Sequence, residues 1–80
     1  MKERVMEQIR NAKNLRQVRV WAEILELAEY AEAEYAEKEP EAEICFIRLL
    51  ETGLAIARAR NKKIDTEIYT AAIKIFKKEE

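Results

Sequence analysis

Histidine is absent from this chain, and with it goes the side chain that most often serves general acid–base catalysis and metal ligation. There is one Asp, and there is no glycine-rich loop to cradle a phosphate, so the inventory argues against an enzyme, a cofactor or a small-molecule substrate. A single cysteine, Cys45, cannot close an internal disulfide. With no histidine to act as its base, it reads as a small buried hydrophobe. One Gly and one Pro leave little with which to build turns, so loops must be few and short. No apolar run approaches the ~20 residues of a membrane span, and no secretory core follows Met1. The expectation is therefore a reducing, cytoplasmic setting with no membrane partner.

What is present favours helices. The 80 residues suit one domain. Charged residues make up 39% of them, well above the usual quarter. Ala, Glu, Lys, Arg, Ile and Leu dominate, and most of these are good helix formers, so the predicted class is all α. The Glu and Lys enrichment fits a thermophilic protein. In composition and turn economy the whole chain also resembles computationally designed helical bundles, without any specific motif. That resemblance implies a thermostable scaffold and assigns no activity.

The stretch Glu41–Ala59 organises the rest. Its large apolar side chains, from Cys45 through Leu49, Phe46 and Leu50 to Ile47, cover roughly 200° of a helix, so it must be covered on two or more sides. Around it the sequence predicts helices over residues 2–12, 15–38, 41–60 and 66–78. The result is a short-long-long-short four-helix bundle. Asn14 with Gln17 reads as a capping box that separates the first two helices. Glu39-Pro40 marks the junction of the second and third, which must then pack as an antiparallel hairpin. Asp65 is the expected cap of the fourth helix, with Ile64 and Tyr69 as its hydrophobic staple. Trp21, Ile24, Phe46, Leu49, Leu50 and Ile75 are predicted to be almost wholly buried. Gly53 points into the apolar arc of the third helix, and its cost there implies that another helix crosses closely.

Metal sites fare poorly on this pattern. Glu23, Glu26, Glu29, Glu32, Glu34 and Glu37 recur at helical spacing, but most point away from the apolar face and none is joined by histidine. They read as a solvated face. Charge distribution carries more information. Residues 1–20 sum to +4, residues 21–43 to −8, residues 44–64 to +4 and residues 65–80 to −1. Antiparallel packing should gather Arg10, Lys13, Arg16, Arg19, Arg58, Arg60, Lys62 and Lys63 at one pole. Such a pole is a candidate binding surface for phosphates or acidic groups. The second helix thins to Ala28, Ala31 and Tyr35, a candidate oligomer face. The leading expectation is a non-catalytic helical scaffold or protein-interaction module, with a protein partner or self-association. The alternatives are a small nucleic-acid-binding protein that uses the basic pole, and a homo-oligomeric helical assembly.

Overall fold

A computed structural model describes residues 2–35 and 39–77 as an all-α bundle. Among them are four helices, α1 (Lys2–Arg10), α2 (Leu15–Glu34), α3 (Glu39–Ala59) and α4 (Lys63–Phe76). Contacts along their length set their directions. Lys2 Nζ lies 3.8 Å from Glu32 Oε1, so the start of α1 sits beside the end of α2. Arg16 at the start of α2 reaches Asp65 at the start of α4. Lys77, just past α4, lies 3.5 Å from Glu51 in the middle of α3. The topology is up-down-up-down, and each helix runs antiparallel to its chain neighbour.

The junctions follow from local chemistry. Asn14 Oδ1 accepts the backbone N–H of Gln17 at 2.9 Å, and Gln17 Oε1 accepts that of Lys13 at 2.8 Å. The cap at Asn14 is therefore formed, with the return bond from Gln17 taken to Lys13 rather than to Asn14 itself, and α1 and α2 are separate helices, α1 ending at Arg10 rather than at residue 12. At the far end of α3 the Lys62 N–H donates to Ala57 O and the Asn61 N–H to Arg58 O. Asn61 sits at φ 56, the left-handed position that closes a Schellman motif. The reversal is so tight that α4 starts at Lys63, with Lys62 at the cap position and no side chain capping it. Asp65 is thus not the cap. It lies in the first turn, its carboxylate taken by Arg16, while Ile64 is exposed and makes no buried staple with Tyr69.

Two other boundaries move. α2 ends at Glu34 with Tyr35 as its cap, not near Lys38, because an antiparallel hairpin needs a few residues in which to reverse. Residues 36–38 of the predicted helix, Glu37 among them, and residue 78 of the fourth lie outside the described residues. α3 begins at Glu39, two residues early. Pro40 has no N–H to satisfy and fits a first helical turn.

The core is continuous. Val5, Val20, Trp21, Ile24, Ala28, Ala31, Phe46, Leu50, Ile68, Tyr69, Ala72 and Phe76 form one buried cluster. Phe46 and Phe76 meet edge to face, ring centroids 5.0 Å apart. Arg4 covers the open side of Phe76, its guanidinium carbon 5.1 Å from the ring centroid, and donates to Ile75 O. Of the six residues expected inside, Trp21, Ile24, Phe46 and Leu50 are buried, but Leu49 and Ile75 are only half-buried. They lie at the edges of their stripes, and Val20 and Val5 take the interior instead. Ala28 and Ala31, the proposed oligomer face, are wholly buried within the single chain, and only Tyr35 of that trio retains exposure. The thin stripe is thin because its own chain packs closely against it.

Candidate functional site

A cleft of about 360 Å³ lies where α2, α3 and the start of α4 converge. Its position follows from small residues on α3. Gly53 and Ala57 are one turn apart and leave a gap in the helix surface, into which the Tyr69 ring packs from α4. A Cβ placed on Gly53 would fall 2.8 Å from Tyr69 Cζ, which no real contact tolerates. The close crossing expected at Gly53 is present, and glycine is what permits it. Val20, Ile56 and the Tyr69 ring complete an apolar lining. Ile56 is 49% exposed, so a large aliphatic side chain is left open to a visitor.

The rim is charged. Arg16, Arg19, Arg60 and Lys62 border the cleft together with Glu23 and Asp65. Arg16 is engaged, its Nη2 donating to Asp65 Oδ1 at 2.9 Å. Arg19, Arg60 and Lys62 are exposed, and none forms an ion pair with another described residue. Burial pushes the Tyr69 phenol up to about 12, with the nearby carboxylates of Glu23 and Asp65 adding to the effect. It is therefore a neutral hydroxyl at physiological pH, available as a hydrogen-bonding group and not as a nucleophile.

The eight cations expected at one pole do not form one surface. Arg16, Arg19, Arg60 and Lys62 share the cleft. Arg58 and Lys63 line a separate, more open hollow with Asn61, Thr66 and Glu67. Arg10 and Lys13 stand at the α1–α2 junction, exposed and outside both. Arg58 and Arg60, two residues apart at the end of α3, fall on different sides of the helix, and after the turn at Asn61 Lys62 lines the cleft while Lys63 lines the hollow.

Several cleft residues were not singled out from the sequence as site residues: Val20, Glu23, Gly53, Ile56, Ala57, Asp65 and Tyr69. The spacing of Gly53 and Ala57, with Ile56 between them, was the available signal. It marks a helix face too small to fill its own groove. Among the described residues no group of three candidate ligands converges to hold a metal ion, and no helix is long and apolar enough to cross a membrane. Comparison of the chain with family models, curated proteins and solved structures returns no match.

Proposed function

We propose that this chain is a non-catalytic protein-interaction module that docks an acidic, partly apolar segment of a partner protein in the cleft over Gly53. One observation carries the reading: three cations without an ion pair to any described residue (Arg19, Arg60 and Lys62) surround an apolar lining that leaves Ile56 half exposed. Leu15 (65% exposed) and Ile64 (41% exposed) extend the apolar character, each the chain neighbour of a member of the Arg16–Asp65 pair. A nucleic-acid backbone gains little from exposed aliphatic side chains beside its phosphates. A peptide with carboxylates on one edge and a Leu or Ile anchor gains from both parts of the surface. Electrostatics would steer the encounter and the apolar anchor would hold it.

The test is fluorescence anisotropy with three labelled probes: an acidic amphipathic Glu/Leu peptide, a poly-Glu peptide of equal charge, and a short DNA duplex. The amphipathic peptide should bind tightest and retain part of its affinity at high salt. Arg19→Glu with Lys62→Glu should weaken it by at least about tenfold, and Ile56→Ser should reduce it to the level of poly-Glu. Preferential binding of the duplex, with affinity falling steeply with salt, would replace this reading by nucleic-acid binding.

A further inference from the structure

α3 is apolar around more of its circumference than its own chain covers. One side buries Ala42, Phe46, Leu50 and Ala57. On the other, Ile44 is 52% exposed while Cys45 and Leu49 are only half-buried. These border a groove of about 280 Å³, closed on one side by Tyr35 at the end of α2. Glu41 and Arg48 stand on the same strip, exposed and without an ion pair to any other described residue. Seven residues apart, they are separated by about 10.5 Å along the helix, too far to neutralise each other.

The order of these residues is self-complementary. Glu41, Ile44, Cys45 and Arg48 are spaced i, i+3, i+4, i+7 and are symmetric about the point midway between Ile44 and Cys45. If a second α3 is laid antiparallel across that point, Glu41 meets Arg48 and Arg48 meets Glu41. Ile44 meets Cys45 on both sides of the axis, and each Ile44 enters the other copy's groove beside Tyr35 and Leu49. Two-fold symmetry makes the surface its own partner, as an isologous interface requires.

We infer that a second copy of this chain docks on the outer face of α3, forming a two-fold dimer centred between Ile44 and Cys45. The charge pairs fix direction and register, and the four central side chains supply the apolar contact. One helix pair buries less than a standard interface, so the dimer is transient, dissociating in the micromolar to millimolar range. This face is separate from the cleft over Gly53, and either can fail without the other.

The test is sedimentation of the full chain over a wide concentration range, for the wild type, Glu41→Arg, Arg48→Glu and the double variant. Each single reversal sets like charges opposite one another twice and should weaken dimerisation by at least about tenfold. The double variant restores both pairs with their signs exchanged and should return to near the wild-type value. Melting curves of the variants should match, since both positions are exposed. On the unaltered chain, a short bismaleimide should link Cys45 to Cys45 of the second copy, because each lies half a residue from the axis. The inference is overturned by a wild type that stays monomeric throughout and yields no linked dimer. It is equally overturned by association indifferent to the single reversals, or by a double variant no better than the singles.

Discussion

At the hairpin end of the bundle, Ala28 and Ala31 on α2 and Ala42 on α3 are buried, and Val5, Phe46 and Phe76 fill the space between the helices. At the basic end, Gly53 and Ala57 are equally small, yet they border a cleft. The difference lies in what approaches. At the hairpin end compact side chains and an edge-to-face aromatic pair occupy the volume fully. At the basic end one long planar ring, Tyr69, crosses the small residues and leaves room beside itself. Small residues on a helix thus serve two purposes in one chain. They draw helices together where the third element is well shaped, and they open a concavity where it is not.

Removing the filler from the closed end should have the largest effect. Phe46→Ala is expected to lower stability by about 3–5 kcal/mol, since it deletes a fully buried ring and its partner contact with Phe76. Urea denaturation of the variant measures this, and a loss below ~1 kcal/mol would mean the end is not closed as described. Filling the open end is the reverse experiment. Gly53→Leu must displace Tyr69 and should cost about 1–3 kcal/mol by overpacking, despite the better helix propensity of leucine. A stabilised variant would show that the ring is not held there.

Alkaline pH acts on the open end through Tyr69. Tyr69 ionises near 10.0 in the unfolded chain but only near about 12 in the folded one. The folded state therefore favours the protonated phenol. Its contribution is complete below pH 10 and is lost as pH rises towards 12, by up to about 2 kcal/mol. Tyr69→Phe should flatten the fall over that window in a melting series, and an unchanged slope would assign it to other groups. The smallest effect concerns the turn that shapes the cleft. Asn61→Gly should raise stability by a few tenths of a kcal/mol, because φ 56 suits glycine without a Cβ, whereas Asn61→Ala should lose about 1 kcal/mol. Thermal melts of the pair resolve the two signs.

Most of the fold was legible because it rests on short-range rules. The period of apolar residues located four helices, Asn14 with Gln17 marked a break that the hydrogen bonds bear out, and Gly53 signalled a close crossing. The failures have a common origin. Asp65 had every local property of a cap, but the Schellman turn at Asn61 started α4 three residues sooner, a decision made by the preceding helix. Ala28 and Ala31 read as the thin end of the buried stripe and as a candidate oligomer face; that their own chain covers them, with α1 lying against α2, is not visible in the sequence. Of the basic residues, the cleft brings Arg16, Arg19, Arg60 and Lys62 together. Helix phase separates Arg58 from Arg60, but how Lys62 and Lys63 divide between the cleft and the second hollow depends on the direction in which the chain leaves Asn61, which periodicity does not encode.

The up-down topology with its short links has a kinetic consequence. Each helix meets its chain neighbour first, so the entropy of closing loops is small before contacts begin to reward it. α1 with α2, and α3 with α4, can each assemble as a hairpin, and the Arg4–Phe76 and Arg16–Asp65 contacts then join one hairpin to the other. Chains dominated by such local pairings fold in microseconds to milliseconds, so refolding after dilution from denaturant should be complete within about a few milliseconds of mixing. Hairpin docking, rather than formation of either hairpin, is the step that Arg4→Ala should slow.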